Sequence, residues 1–280
     1  MIAVRRAACV IGWPVEHSRS PIIHNYWLKR YGIAGEYRRE AVRKEEFAAF
    51  IDALAARGYV GANVTVPHKE AAFARSLPDE RARAVGAVNT LWLEGDVLRS
   101  TNTDVEGFLD NLDVCAPGWD RDAAKALVLG AGGAARAVIY GLLSRGVERI
   151  VVANRTASRA EALQKAFGKQ VQVADWASLE AELAGAALLV NTTTLGMHGQ
   201  PALTPDLSRL GRHATVADMV YVPALTPLLA AASAQGLATA DGLGMLLHQA
   251  VRGFSLWFGK TPEVTGELRA VVEADLKTAT

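Results

Sequence analysis

Residues 127–135 have the sequence Leu-Val-Leu-Gly-Ala-Gly-Gly-Ala-Ala. Leu127–Leu129 predicts a buried strand, and the run from Gly130 to Ala135 follows it with the G-x-G-x-x-A spacing of a dinucleotide-binding turn. Glycines there allow a tight turn and a close approach of the backbone, so that a pyrophosphate can bind at the N-terminus of the next helix. The segment predicts a strand, a phosphate-binding turn and a helix; a purely structural glycine turn is the alternative.

Outward from this turn, short apolar runs alternate with helical patterns from about Lys125 onward. The predicted strands are Ala126–Leu129, Ile150–Ala153, Leu188–Val190, Thr215–Val216 and Leu237–Thr239. Such alternation predicts a doubly wound parallel sheet, as in Rossmann-like domains. The predicted fold class is α/β, with an N-terminal α/β domain before this Rossmann-like domain.

The N-terminal part also mixes strands and helices. Strands are predicted at Ala8–Ile11 and Tyr59–Val66, a hairpin at Asn89–Leu93 and Val97–Ser100, and a helix over Lys44–Arg57 that ends at Gly58. Ser20 is the expected N-cap of a further helix, with Pro21 at its first position. Another helix is expected after Asp104.

Two final helical stretches, Leu243–Phe258 and Glu263–Lys277, are expected to pack back against the first domain. The predicted first domain is therefore discontinuous. It comprises residues 1–104 completed by 243–280, and it binds the substrate, whereas residues 105–242 bind the dinucleotide.

The composition bounds the possible partners. With 280 residues, 50% of them hydrophobic, and a formal net charge of +1, the chain is long enough for two cores and has no charge excess for nucleic acid or anionic membranes. Glycines and Arg136 interrupt its longest apolar run, Ala126–Leu143, so no membrane span is predicted. Two distant cysteines and six histidines without ligand spacing predict no metal and a reducing, cytoplasmic location.

The residues after the second Rossmann strand select the cofactor. NAD sites usually have an acidic residue there, about 20 residues after the glycines. This chain has Asn154-Arg155-Thr156, with Arg159 one helical turn later. Because arginine pairs with a 2′-phosphate that a carboxylate would repel, NADP is favoured over NAD. For Arg159, a solvated helix face is the alternative.

The segment Asn63-Val-Thr-Val-Pro-His-Lys69 places a lysine just beyond a β-branched run. Most lysines are surface charges, but Asn102-Thr103-Asp104 supplies a carboxylate from another polar turn. A lysine paired with a carboxylate can exchange a proton with a substrate hydroxyl. Proton transfer beside a dinucleotide hydride carrier predicts alcohol/ketone redox chemistry.

Several polar residues are candidates for binding the substrate. Ser18 and Ser20 precede or begin a helix, where hydroxyl groups and the helix dipole suit a carboxylate; for Ser20, N-capping is the alternative. Thr65 and Asn89 are expected at strand ends facing a cleft. Gln249 lies on an otherwise apolar helix and needs a partner if it is buried.

These segments and others resemble, in order along the chain, the motifs of the shikimate dehydrogenase family. The motifs are Gly-x-Pro-x-x-His-Ser-x-Ser-Pro (12–21), Asn-Val-Thr-x-Pro-His-Lys (63–69), Gly-Ala-Val-Asn-Thr (86–90), Asn-Thr-Asp (102–104), Gly-Ala-Gly-Gly-Ala-Ala-Arg (130–136), Asn-Arg-Thr (154–156), Asp-Met-Val-Tyr-x-Pro (218–223) and Asp-Gly-Leu-Gly-Met-Leu (241–246). The family often has glycine after the Asn-Thr-Asp aspartate, whereas this chain has Val105.

The resemblance implies NADP-linked, reversible reduction of 3-dehydroshikimate to shikimate, a step toward the aromatic amino acids. It implies that Lys69 exchanges the proton at the reacting oxygen and that Asp104 fixes the position of the lysine. The implied substrate-binding residues are Ser18, Ser20 and Tyr221 for the carboxylate, and Thr65, Asn89, Asp104 and Gln249 for the ring hydroxyls. The implied cofactor-binding residues are Gly130, Ala131, Gly132, Gly133 and Ala134 at the pyrophosphate, Asn154, Arg155, Thr156 and Arg159 at the adenosine end, and Met219 and Gly242 at the nicotinamide.

Three alternatives stay open at this point. A quinate or dual quinate/shikimate dehydrogenase would share the fold, although Ser20 and Asn154-Arg155-Thr156 favour shikimate and NADP. A non-catalytic NADP-binding regulator would be expected to lack Lys69 or Asp104. A folate-type dehydrogenase would leave the serine loop and Gln249 without a role. The expected partner is a small molecule, and the chain is expected to be a monomer or a homodimer.

Overall fold

The computed structural model describes residues 6–121 and 124–278. Its backbone divides into two compact units. The first comprises the described residues up to Thr103 and from Gln249 onward, and the second comprises Asp104–His248. The predicted boundaries, after residue 104 and before residue 243, fall close to this division.

Twelve strands and eleven α-helices make up the described chain. The strands are β1 (Arg6–Gly12), β2 (Gly35–Ala41), β3 (Tyr59–Val64), β4 (Leu77–Pro78), β5 (Thr90–Glu94), β6 (Val97–Thr101), β7 (Lys125–Leu129), β8 (Arg149–Ala153), β9 (Val171–Ala174), β10 (Leu188–Asn191), β11 (Thr215–Asp218) and β12 (Ala238–Ala240). The helices are α1 (Ser20–Arg30), α2 (Phe47–Asp52), α3 (Lys69–Ala74), α4 (Glu80–Val85), α5 (Asp104–Cys115), α6 (Gly133–Ser144), α7 (Ala157–Phe167), α8 (Leu179–Glu182), α9 (Pro227–Ala234), α10 (Gly242–Phe258) and α11 (Gly266–Thr278). No helix in this described part is long and apolar enough to cross a membrane.

The first unit is built on a mixed sheet with the order β2-β1-β3-β5-β6-β4. β1 is parallel to β2 and β3, whereas β5 is antiparallel to β3 and β6. Asn63 near the end of β3 pairs with Thr90 at the start of β5, and Thr90 pairs with Thr101 at the end of β6. The hairpin therefore brings both of its ends to the sheet edge where β1 and β3 end.

Both faces of this sheet are covered by apolar side chains. On one face, residues such as Ile11 and Ala62 pack against Phe47 and its neighbours around α2. On the other face, Trp257 from α10 lies directly on Gly61, where a Cβ atom would be 2.1 Å from the indole Nε1. Only glycine fits beneath that ring, and the indole N–H donates to the Leu91 carbonyl at 2.8 Å.

The second unit contains the parallel sheet β9-β8-β7-β10-β11-β12. Alternate residues of its strands enter two separate cores, with Val128 on one face and Leu127 on the other. Strand order reverses between β7 and β10, which is the switch point where ligands bind in doubly wound sheets. The predicted α/β class with a doubly wound parallel sheet is confirmed.

Three local predictions differ from the structure. The predicted helix over Lys44–Arg57 is regular only in α2, after which separate turns still bury Leu54 in the core. The predicted strand Tyr59–Val66 ends at Val64. Strands β2, β4 and β9 were not predicted, because all three lie at sheet edges, where a strand does not need a continuous apolar run.

Candidate functional site

The serine loop connects β1 to α1. Arg19 rather than Ser20 occupies the N-cap position, and no described side chain caps the helix. The prediction that Ser20 is the N-cap is therefore wrong: Ser20 is the buried first residue of α1, and its N–H donates to the Ser18 Oγ at 3.3 Å. The Ser20 hydroxyl has no capping role that would compete with ligand binding.

A buried hydrogen-bond network lies behind the serine loop in the first unit. The Tyr37 hydroxyl donates to the Asn63 Oδ1 at 2.5 Å. The Asn63 amide in turn donates to the Asn89 carbonyl at 3.2 Å and to the Thr90 Oγ1 at 3.1 Å. Burial raises the pKa of Tyr37 well above its usual value, so this phenol is a neutral donor.

The same network fixes two predicted substrate-binding amides. The Asn89 Oδ1 accepts the backbone N–H of Thr103 at 2.8 Å. The Thr103 hydroxyl lies 3.2 Å from the same Oδ1 and 3.4 Å from the Gln249 Oε1, to which it can donate. Gln249 is buried on α10, and Thr103 provides the partner that the sequence requires. Asn89 and Gln249 are thus held in set orientations at one edge of the sheet.

Lys69 begins α3 rather than lying at the end of a strand. After β3, residues 65–68 form a turn in which the His68 N–H donates to the Thr65 carbonyl at 3.0 Å. The buried His68 ring stacks on Phe47 with centroids 4.5 Å apart, and its Nε2 is 2.7 Å from the Val42 carbonyl oxygen. These contacts hold the backbone of half-buried Lys69 in place.

Thr65 lies at the same edge as the serine loop. A Cβ atom on Gly12, at the end of β1, would lie 2.5 Å from the Thr65 Cγ2. The first unit contains six of the predicted catalytic and substrate-binding residues, namely Ser18, Ser20, Thr65, Lys69, Asn89 and Gln249. Asp104 and Tyr221 belong to the second unit.

Asp104 is the first residue of α5 and is half-buried. The following Val105, where the family often has glycine, is buried in helical conformation. The helix is anchored in the core of the second unit by Phe108 and Leu112. The valine therefore leaves the carboxylate at the start of a well-packed helix.

The glycine-rich turn of the second unit is open on its outer side. Gly130 has φ +102°, and a Cβ there would lie 2.6 Å from the Thr192 Oγ1, so this position requires glycine. Gly132 and Gly133 are exposed, and a Cβ at either would meet no described atom within 4 Å. No side chain of the described residues caps α6, so its first N–H groups can bind an anion. This open turn fits the pyrophosphate of a dinucleotide.

The end of β8 is followed by cations and no carboxylate. Asn154 closes the turn by donating from Nδ2 to the Thr156 carbonyl at 2.8 Å. Arg155, Thr156 and Arg159 are exposed, and α7 has no side-chain cap from the described part of the chain. An exposed arginine beside an open helix N-terminus suits a phosphate monoester, which fits the predicted preference for NADP.

Met219 and Gly242, the predicted nicotinamide neighbours, are in direct contact. A Cβ on Gly242 would lie 2.4 Å from the Met219 carbonyl oxygen, so only glycine fits. The Met219 N–H donates to the Asn191 carbonyl at 2.9 Å. Ala131 and Ala134 flank the glycines of the turn after β7, at the same carboxyl edge of the parallel sheet.

Sequence reasoning assigned no role to Asp218, the buried last residue of β11. Its carboxylate accepts from the Asn191 Nδ2 at 2.9 Å, the Val220 N–H at 3.0 Å and the Thr226 hydroxyl at 2.7 Å. Burial raises its pKa, and these donors act in the opposite direction. The sequence did contain a signal for Asp218, because β10 and β11 are apolar runs that each end in a polar residue. In the structure these two residues, Asn191 and Asp218, are paired in register.

Tyr37, Asn63 and Thr103 were likewise given no role, although they connect the predicted substrate residues. Their partners are 26 and 146 residues away along the chain. No local pattern reports such pairs.

Comparison with known proteins identifies the family of the chain. Three family profiles match: "Shikimate dehydrogenase substrate binding domain" over residues 10–91, "Shikimate / quinate 5-dehydrogenase" over 118–198, and "Shikimate 5'-dehydrogenase C-terminal domain" over 242–272. A protein named shikimate dehydrogenase (NADP(+)), from Rhodopseudomonas palustris strain TIE-1, is 64% identical over 99% of both chains. The chain belongs to the shikimate dehydrogenase family.

Solved structures are similar along nearly the whole chain. Quinate dehydrogenase from Corynebacterium glutamicum, in complex with NAD, has a TM-score of 0.88 and 33% identity, covering 96% of this chain and 99% of its own. Shikimate 5-dehydrogenase from Thermus thermophilus, in complex with NADP(H) and shikimate, has a TM-score of 0.81 and 34% identity, covering 99% and 100%. The family therefore includes relatives named for either substrate.

Proposed function

We propose that this protein catalyses the reversible, NADP-dependent reduction of 3-dehydroshikimate to shikimate. The observation that carries the proposal is the buried network that orients Asn89 and Gln249 at one edge of the sheet in the first unit, which also contains Lys69. Fixed amide groups suit a small molecule with several hydroxyl groups, because a misplaced hydroxyl leaves a buried polar group unpaired. The name shared by relatives 62–64% identical supports the same reaction.

Each unit contributes its own set of groups to this function. In the first unit, Ser18 and Ser20 bind the carboxylate, and Thr65, Asn89 and Gln249 bind ring hydroxyls. In the second unit, residues 130–134 hold the pyrophosphate and Arg155 reads the 2′-phosphate, with Asn154, Thr156 and Arg159 around it. Met219 and Gly242 border the nicotinamide, and Tyr221 assists with the substrate carboxylate.

The bound cofactor supplies a hydride to the carbonyl carbon in reduction and accepts it in oxidation. Lys69 moves the accompanying proton: its ammonium donates to the oxygen that becomes the hydroxyl, and its amine takes that proton back in the reverse direction. By the family resemblance, the role of Asp104 is to fix the position of this lysine and to bind a ring hydroxyl. Asp218 holds the residues after β11 in place through Val220 and Thr226.

A steady-state assay tests the proposal. Purified protein is offered shikimate or quinate, each with NADP or NAD, and the appearance of reduced cofactor is followed by absorbance. We expect the highest kcat/KM for shikimate with NADP. A higher kcat/KM for quinate would instead make the protein a quinate dehydrogenase, and a preference for NAD would remove Arg155 from its proposed role.

The same assay separates an enzyme from a regulator. Binding of NADP and shikimate without turnover of any substrate and cofactor pair would contradict the proposed activity. Loss of turnover in a Lys69→Ala variant that still binds both ligands would support it.

A further inference from the structure

Asn111 is a buried amide on a helix whose neighbouring buried residues are apolar. It lies on α5, the helix that begins with Asp104, and Phe108 and Leu112 beside it enter the hydrophobic core. The Asn111 Nδ2 donates to the backbone carbonyl of Asp241 at 2.9 Å. A buried polar side chain costs stability unless it is hydrogen-bonded, so this bond offsets the cost of burying the amide.

The residue held by this bond, Asp241, connects β12 to α10 and directly precedes the first residue of the helix. The Asp241 carboxylate accepts the Gly244 N–H at 2.8 Å, so it caps the first turn of α10, residues 241–244. A Cβ on Gly244 would lie 1.8 Å from the Asn111 Oδ1, so the helix and the turn touch with no room for a side chain. On its other side, Gly242 packs against the Met219 carbonyl, where a Cβ would be 2.4 Å away.

The turn is therefore clamped between α5 and the end of β11. Both ends of the Asn111 amide are used, because its Oδ1 also accepts from the Cys115 thiol at 3.6 Å. Leucine could fill the same volume but would leave the Asp241 carbonyl without this donor. The clamp joins the helix that carries Asp104 to the residues proposed to border the nicotinamide.

We propose that Asn111 is a positioning residue that holds the Asp241–Gly244 turn, and with it the nicotinamide-binding edge, at a set distance from the Asp104 helix. This inference rests on the proposed function. Transfer between two bound reactants depends steeply on their geometry, and a displacement of about 1 Å can lower the rate on the order of 10²-fold. Asn111 is not among the residues proposed to contact shikimate or NADP.

The first test is Asn111→Leu in the full-length protein. We expect kcat to fall roughly 10- to 100-fold while the KM for shikimate changes much less, because most of the proposed substrate-binding residues belong to the first unit. The Kd for NADP, measured by calorimetry without substrate, should rise several-fold. The primary isotope effect on kcat, with shikimate deuterated at the reacting carbon, should increase as the transfer step becomes slower.

Leu109→Ala is the matched control. Leu109 is on the same helix and packs against Gly141, but it makes no bond to the turn. It should lower the thermal midpoint while leaving the NADP Kd and the isotope effect unchanged. If Asn111→Leu does not fold, Asn111→Ser replaces it, since the shorter side chain cannot reach the Asp241 carbonyl but introduces no bulk.

A pair of variants separates the hydrogen bond from steric fit. Gly244→Ala alone should be strongly destabilised, because its Cβ would overlap the Asn111 Oδ1. Adding Asn111→Ala to Gly244→Ala removes the overlap, so the thermal midpoint should recover while the NADP Kd and the isotope effect stay impaired.

An Asn111→Leu variant with the Kd and isotope effect of the natural protein would overturn the proposal. Failure of the natural protein to oxidise shikimate would instead contradict the proposed function. In that case the NADP Kd still decides the role of Asn111: a several-fold rise supports the clamp and an unchanged value refutes it.

Discussion

The two units differ in the groups that they offer to their proposed ligands. In the first unit, the predicted substrate residues Asn89 and Gln249 are buried and tied to other side chains. In the second unit, the predicted cofactor contacts are open backbone at Gly132 and Gly133 and the exposed side chain of Arg155. One surface consists of pre-oriented side chains, and the other consists of uncovered main chain and exposed charge.

This difference follows from what each ligand presents. Shikimate is small and carries a carboxylate and several ring hydroxyl groups, so its recognition needs donors and acceptors at fixed positions. A pyrophosphate is a large anion that backbone N–H groups at a helix N-terminus can bind without side chains. The comparison therefore predicts that changes in the buried network of the first unit alter substrate kinetics and stability. Changes at the open glycine turn and at Arg155 in the second unit are predicted to alter cofactor affinity.

The largest expected effect is on the proton-transfer group of the first unit. Lys69→Ala should lower kcat by roughly 10²–10⁴-fold, because it removes the group proposed to exchange the proton at the reacting oxygen. The KM for shikimate should change little, and the NADP Kd should stay as in the natural protein. Steady-state kinetics and calorimetry measure the three quantities. Full activity in this variant would remove the lysine from the mechanism.

The next effect is on the pH dependence of stability, through the buried His24 ring beside Tyr37 of the first unit's network. His24 is fully buried and stacks on Tyr37 with ring centroids 4.2 Å apart. Burial lowers the pKa of His24 from 6.5 to about 3, and nearby Asn63 acts more weakly in the opposite direction. Below pH 6.5 the unfolded chain therefore binds a proton that the folded chain does not accept.

The free energy of unfolding should consequently fall as the pH falls from 6.5 toward 3, by about 1.4 kcal/mol per pH unit from this residue alone. His24→Phe keeps a ring in the stack and should flatten the profile over this range, as measured by urea unfolding at several pH values. Replacing the exposed His17 by Gln is the control and should leave the profile unchanged. A profile that is equally steep after His24→Phe would contradict this assignment.

A smaller effect is expected from the network itself. Asn63→Leu removes the acceptor of the Tyr37 hydroxyl and one of the partners of the Thr90 Oγ1, which should cost about 1–3 kcal/mol of unfolding free energy. The KM for shikimate should rise about tenfold because Asn89 is less firmly held, whereas the NADP Kd should not change. Urea unfolding and separate titrations of the two ligands measure these changes.

Asn25→Ala provides the comparison for this variant. It removes two bonds to the Tyr37 backbone, one to the carbonyl at 2.9 Å and one from the N–H at 3.0 Å, and leaves the side-chain bonds of the network in place. An equal rise in KM for shikimate in both variants would show that general loosening of the sheet, rather than the network, is responsible.

The two units also differ in how far their sequences predict them. The parallel sheet and the turn at Gly130 follow from local signals, because the glycines, the apolar strand and the helix are contiguous. Asn89 and Gln249 were candidates from their sequence positions, and the resemblance implied their role, but the links through Asn63 and Thr103 join distant parts of the chain. Such links depend on strand order and register, which a single sequence does not encode locally.

Local propensity also misplaced some boundaries for physical reasons. Ser20 has the residue type and position of an N-cap, but the chain already has helical backbone angles at Arg19. β2 contains four charged residues in its seven, because an edge strand needs to bury little. No sequence pattern indicated that Asn111 is buried, since a single asparagine on an amphipathic helix can equally lie on the solvent-exposed face.

The smallest effect is expected at the exposed cation of the second unit. Arg155→Ala should weaken NADP binding about tenfold and leave NAD binding nearly unchanged, because only NADP presents a 2′-phosphate. The loss should shrink as salt is added, since exposed charges are screened over about 8–10 Å at moderate ionic strength. Titration of each cofactor at low and high salt measures the cofactor preference and its dependence on salt.

Lys165→Ala is the control for charge alone, because it removes a cation from the far end of α7. If both variants weaken NADP equally, the general positive field accounts for the preference and Arg155 is not a specific contact. If Arg155→Ala weakens NAD as much as NADP, the arginine contacts a part that the two cofactors share. The contrast between the two units requires that Arg155→Ala weakens NADP binding selectively and leaves the KM for shikimate unchanged. That result would mean that the first unit recognises its ligand through buried, fixed side chains and the second through exposed groups.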